Sequence, residues 1–99
     1  SKFKYAVHLM PTIAAGTFSM NCAYLGIPCI GYKEADTQRL LHPDLSVEIG
    51  NIEKARHLVN KLKTNEDFYL ECSNKCRTNW QNHFEEQAYL QHMNKVFEQ

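Results

Sequence analysis

Ninety-nine residues and 11.5 kDa make one small domain or a part of a larger one. Apolar residues are 43% and charged residues 22%, globular proportions that exclude a disordered chain. Eleven Lys and Arg balance eleven Asp and Glu, so the basic footprint of a nucleic-acid binder or a polybasic membrane clamp is missing, and no apolar run nears the ~20 residues of a membrane span.

No signal-peptide pattern opens the sequence, and Ser1-Lys2-Phe3-Lys4 reads as an internal start. The apolar run Tyr5–Met10, stopped by Pro11, predicts a buried strand. Small residues Ala14-Ala15-Gly16 then lead into a helix predicted over Phe18–Leu25. Gly26 stops it by taking a left-handed conformation, with Pro28 two residues beyond. Pro28–Tyr32 predicts a second strand. Polar residues from Lys33 lead into a helical turn ending at Leu41, which His42-Pro43-Asp44 breaks. Leu45–Ile49 alternates and predicts a third strand, closed by Gly50.

Helical spacing governs the remainder. Ile52, Ala55, Leu58, Val59 and Leu62 share one face behind a cap at Asn51. Thr64-Asn65-Glu66-Asp67 resembles a capping box for a second helix, striped by Phe68, Tyr69, Cys72, Cys76 and Trp80. Asn82 offers a fresh cap for a third helix carrying Tyr89, Leu90, Met93, Val96 and Phe97. Strands alternating with helices predict an α/β fold, a Rossmann-like three-layer αβα arrangement on a short parallel sheet. Three strands are few for that plan, so the expected whole is the C-terminal part of a larger domain. One exposed apolar seam would follow, with self-association of the isolated chain as a homodimer.

The four cysteines form no disulfide framework: Cys22 and Cys29 flank a helix-to-strand corner, and Cys72 and Cys76 lie one helical turn apart. Buried reduced thiols are expected, implying the cytoplasm. No paired C-x-x-C supports zinc, so no metal is expected. His8 reads as a core histidine and His42, before Pro43, as a loop residue. His57, His83 and His92 fall on helices, and no acid–base pair can be placed from spacing.

The segment Gly16-Thr17-Phe18-Ser19-Met20-Asn21-Cys22-Ala23-Tyr24-Leu25-Gly26-Ile27-Pro28-Cys29-Ile30 carries the most chemistry. Small residues at a helix start let an anion approach free N–H groups at the positive end of the helix dipole, and Thr17 and Ser19 add hydroxyls. Ordinary helix capping and a tight turn would give the same letters. The pattern resembles the C-terminal, nucleotide-sugar-binding domain of GT-B glycosyltransferases, where such a turn opens a helix ending in Gly-x-Pro. The resemblance extends through the third strand and the terminal helices.

That resemblance implies transfer of a sugar from a nucleoside-diphosphate sugar, with an N-terminal domain of the same protein binding the acceptor. Neither metal nor other cofactor is implied, and the catalytic residues would lie outside this chain. Gly16, Thr17 and Ser19 match the diphosphate-facing turn. Many members carry a ribose-gripping glutamate five residues before the Gly-x-Pro glycine; this chain has Asn21, which can hydrogen-bond a hydroxyl without charge assistance. Some members hold sugar hydroxyls with an acidic residue and a glutamine after the second strand, which maps onto Asp36 and Gln38, with Glu34 as an alternative contact. The non-hydrolysing nucleotide-sugar 2-epimerases share the fold, and a degenerate, non-catalytic α/β interaction module is the alternative outside enzymes.

Overall fold

The short apolar runs pair side by side, in chain order and all parallel. The computed structural model describes residues 4–9 and 15–98, with side chains over 4–9 and 17–85. Strands β1 (Ala6–His8), β2 (Cys29–Tyr32) and β3 (Ser46–Val47) form one sheet of order β1-β2-β3. Ala6 stands opposite Cys29, and Gly31 opposite Ser46. Helix α1 (Ala15–Tyr24) joins β1 to β2, and α2 (Asp36–Leu41) with a 3₁₀ turn at Pro43–Leu45 joins β2 to β3. Helices α3 (Ile52–Thr64) and α4 (Glu66–Glu98) complete the chain.

Alternation along β2 sorts the helices onto two faces. Ile30 and Tyr32 join a core with Val47, Leu58 and Leu62 of α3, and Tyr69 and Cys72 of α4. Cys29 and Gly31 turn to the other face; Gly31 meets the Gln38 side chain of α2 there. A second cluster, Ala23 of α1, Leu41 of α2 and Cys76 of α4, lies on that side, with Met20 and Trp80 against it. One stripe of α4 therefore serves both cores.

The α1–β2 corner follows its sequence closely. Gly26 has φ 71°, its N–H bonds Ala23 O at 3.1 Å, and Ile27 N–H bonds Cys22 O at 2.8 Å. This paired closure satisfies the last carbonyls of the helix, and only glycine takes that φ without strain. Asn51 caps α3 as expected, its Oδ1 accepting from Lys54 N–H at 3.1 Å.

Several boundaries differ from the sequence reading: β1 keeps Ala6–His8 of Tyr5–Met10, Met10 lying outside the described residues, and β2 begins at Cys29 rather than Pro28. Helix α1 begins at Ala15, so Gly16 lies within its first turn; residues 10–14, including Ala14, lie outside the described residues. The third strand keeps only Ser46 and Val47 of Leu45–Ile49, because Leu45 winds into the 3₁₀ turn and the chain turns again where Asn51 N–H bonds Glu48 O. Thr64 ends α3 with its hydroxyl on Asn60 O; Asn65 caps α4, accepting from Phe68 N–H at 3.0 Å. Asn82 starts no helix: α4 runs unbroken for 33 residues, since it contains neither Gly nor Pro and an interior Asn costs only a few tenths of a kcal/mol.

Candidate functional site

Parallel pairing puts the carboxyl ends of β1 and β2 at one end of the sheet, where ligands of open α/β folds bind. The start of α1, with Gly16 and Thr17, lies beyond β1; the loop carrying Glu34, and Asp36 at the start of α2, lie beyond β2. Thr17 is exposed, and the first turn of α1 holds no acidic side chain, so nothing there opposes an anion. Glu34 and Asp36 are exposed. Asp36 pairs with Arg39 at 2.7 Å, and Arg39 also donates to Lys33 O at 2.9 Å.

The structure does not bring the remaining candidates to that surface. Thr17 and Ser19 are two residues apart on a helix and point different ways. Ser19 is buried, with its hydroxyl 3.2 Å from the Thr37 hydroxyl. Gln38 is only 3% exposed. Its Nε2 donates to Cys29 O at 2.8 Å and lies 3.5 Å from Leu45 O and 3.4 Å from Ser46 Oγ. An ideal Cβ at residue 31 would come within 2.6 Å of Gln38 Oε1, so Gly31 is what admits this amide to the sheet face. Asn21 is exposed on a different face of α1.

The polar group that sequence reading missed is His42. It is buried rather than in an open loop, and it ties two elements. Nδ1 accepts from Cys29 N–H at 3.3 Å, which leaves Nε2 to donate to Ser19 O at 3.0 Å. The bond accepted at Nδ1 needs the neutral ring, and burial holds its pKa below the ordinary histidine value, with the Ser19 bond opposing in part. Ser46 adds bonds to His42 O and Gln38 O. Ser19, Thr37, Gln38, His42 and Ser46 thus brace α1 and α2 on the sheet. Among the described residues no buried side-chain polar atom lacks a partner. His8, half-buried, lies against Phe18 with ring centroids 4.5 Å apart.

Asn21 opens onto a cleft of about 740 Å³ beside β1, the sheet edge. Phe18, Asn21 and Cys22 of α1, with Leu25 just past its end at the same helical spacing, form one wall, and Tyr5 and Ile27 form another. Lys4 and Lys63 line it as well, and among the described residues no acidic side chain does. Phe18 is 41% exposed, Leu25 59%, and Val7 of the strand edge 46%. These side chains leave an exposed apolar surface along the edge strand β1.

All four cysteines are free and buried. Among the described residues no group of three or more His, Cys, Asp or Glu is placed to hold a metal ion, and no helix is long and apolar enough to cross a membrane. No family model matches the chain, and no curated protein or solved structure is significantly similar to it.

Proposed function

We propose that the chain is the C-terminal part of the donor-binding domain of a GT-B-type glycosyltransferase, which transfers a sugar from a nucleoside-diphosphate sugar to an acceptor. The observation that carries the reading is the β1–α1–β2 unit. Its helix starts beyond the carboxyl end of β1 and closes on Gly26-Ile27-Pro28. The donor diphosphate lies on the free N–H groups of the first turn at Gly16, with the Thr17 hydroxyl beside it. Glu34 and Asp36 face sugar hydroxyls from the neighbouring loop, whereas Asn21, on a different face of α1, is not among the donor contacts. Ser19 and Gln38 support the site from within, because their side chains are engaged inside the fold. The isolated 99 residues are inactive, since the acceptor-binding domain and catalytic groups lie elsewhere.

Calorimetry of UDP and GDP binding to the intact protein tests this. Gly16→Val covers the backbone donors and lowers affinity at least about tenfold, the loss of one or two charge-assisted bonds. Asn21→Ala leaves nucleoside-diphosphate affinity unchanged, because Asn21 lies on a different face of α1. Unchanged affinity in Gly16→Val removes the donor site from α1 and refutes the reading. A non-catalytic module is favoured by one observation, the uncharged Asn21 in place of the ribose-gripping glutamate; it predicts no response to any nucleotide.

A further inference from the structure

The cleft beside β1 is basic at one end and apolar along the rest, and the parallel sheet fixes which residues lie where. Lys4 and Tyr5 lead into β1, and Ala6 N–H bonds Pro28 O at 2.9 Å, so Ile27 sits beside them at the amino end of the sheet. Helix α1 runs back from the far end of β1 to reach β2, which brings Leu25 to that same end. Helix α3 likewise returns from the end of β3, packing Leu58 and Leu62 on Ile30 and Val47, so Lys63 in its last turn arrives there too. Phe18 marks the opposite end, its ring 4.5 Å from that of His8, the last residue of β1. Between the two ends the small side chains of Ala6 and Cys22 line the cleft. Phe18 and Leu25 stand two helical turns apart, about 10 Å along the wall.

This layout selects a ligand chemistry. Lys4 and Lys63 are exposed, and neither is in an ion pair among the described residues. With no acidic side chain among the described lining residues, the basic end attracts an anion. The walls beyond it offer little to a sugar or a nucleobase. Asn21 is the one side-chain amide among the described lining residues, and polar groups laid against Phe18 and Leu25 would go unpaired. What fits is a negative head followed by an unbranched apolar tail. The volume of about 740 Å³ is that of small-ligand sites, ~300–1,000 Å³.

We propose that this cleft binds a medium-chain aliphatic carboxylate, with its head at Lys4 and Lys63 and its tail between α1 and the edge strand β1, reaching Phe18. The tail drives binding, because it and the walls at Phe18, Leu25 and Ile27 leave water together. The lysines set the direction of entry and choose an anion over a cation. The inference does not depend on the glycosyltransferase reading, which puts the donor at the first turn of α1, at the other end of β1 from the lysines, and which nucleotide calorimetry tests separately.

The test is calorimetry of decanoate against the folded protein at neutral pH and constant ionic strength. One decanoate per chain is expected, saturating at low-millimolar concentration or below. Shortening the chain to octanoate is expected to weaken binding about fourfold per methylene removed. Decyltrimethylammonium, with the same tail and a cationic head, is expected to bind at least about tenfold more weakly. Lys4→Gln combined with Lys63→Gln is expected to weaken decanoate about fivefold and to leave decanol unchanged. Leu25→Asp, at a position 59% exposed, sets a carboxylate in the wall and is expected to abolish decanoate binding. Circular dichroism and urea unfolding verify that each variant is folded. No saturable uptake, many decanoates per chain, equal affinity for the decyl cation, or unchanged binding in Leu25→Asp overturns the proposal. Sedimentation velocity decides between this ligand and a second copy of the chain: a dimer that excludes decanoate and is not dissociated by it assigns the cleft to the second copy and overturns the proposal as well.

Discussion

Gly31→Ala adds one methyl group at a position where the fold has no room for it. The ideal Cβ would lie 2.6 Å from Gln38 Oε1, 2.7 Å from Cδ and 3.1 Å from Cγ. Ordinary carbon contacts are ~3.5–4.0 Å, so the Gln38 amide must retreat by about 1 Å. A surface glutamine would swing away at little cost. Gln38 cannot, because it is buried and its Nε2 is held 2.8 Å from Cys29 O. Overpacking costs about 1–3 kcal/mol, and stretching a buried hydrogen bond adds ~1 kcal/mol, so a loss of about 2–4 kcal/mol is expected. In a Gln38→Ala background the obstacle is gone. There the same substitution costs under about 1 kcal/mol or is mildly stabilising, since alanine suits a strand better than glycine. Equilibrium urea unfolding of the four proteins closes the cycle, with an expected coupling of about 2 kcal/mol. An equal cost of Gly31→Ala in both backgrounds, or a single-variant cost below about 0.5 kcal/mol, would refute the claim that Gly31 exists to admit Gln38.

Acidification should destabilise the fold through His42. Its folded pKa lies below the unfolded value of ~6.5, so stability is complete above that pH and falls as pH drops toward the folded pKa, by no more than about 1.4 kcal/mol per pH unit. The difference between the wild-type and His42→Gln unfolding profiles isolates this slope; parallel profiles would show that His42 does not titrate in that window. Cys72 and Cys76, with pKa values pushed up to about 11, should stay protonated at neutral pH and resist Ellman's reagent until the chain unfolds. Rapid labelling of either in native protein would contradict their burial. Asn65→Ala removes the cap of α4 and should cost about 1 kcal/mol in urea unfolding. The exposed edge at Val7 should make the isolated chain self-associate with concentration, and Val7→Lys should suppress it; sedimentation velocity reads both, and a monomer at every concentration would refute the homodimer expectation.

What could be read from the sequence was what local chemistry encodes. Gly26 and Pro28 mark the α1–β2 corner because a left-handed residue and a fixed φ are needed there whatever surrounds them. The faces of α3 and α4 were legible because 3.6-residue spacing is repeated often enough to be unambiguous. Lys33–His42 was not legible in the same way. It reads as a polar loop, yet Gln38 and His42 are interior, since their partners are main-chain atoms of β2 and α1 that spacing cannot announce. Ser19 escaped for the same reason. It shares a short segment with Thr17, and only helical geometry separates the one that meets Thr37 from the one that meets solvent. Asn82 misled because asparagine suits a cap and tolerates a helix interior, and nothing in its neighbours decides between them.

Helix α4 ties down several of the elements that precede it. Tyr69 Oη donates to Lys4 O at 2.7 Å, Ser73 Oγ to Gly26 O at 2.6 Å, and Asn79 Nδ2 to Leu41 O at 3.3 Å, while Lys75 reaches Asp44 at 2.8 Å. Each tie joins the last element to a site tens of residues earlier. A chain emerging from the ribosome can therefore pair β1 with β2 early but lacks these anchors until Asn79 has cleared the exit tunnel. Until then the α1–β2 turn carbonyl and the end of α2 have only water for partners. Commitment to the native state is thus set late, by the arrival of one helix face, and a pause in translation ahead of α4 would prolong the interval in which the apolar edge of β1 is exposed to other chains.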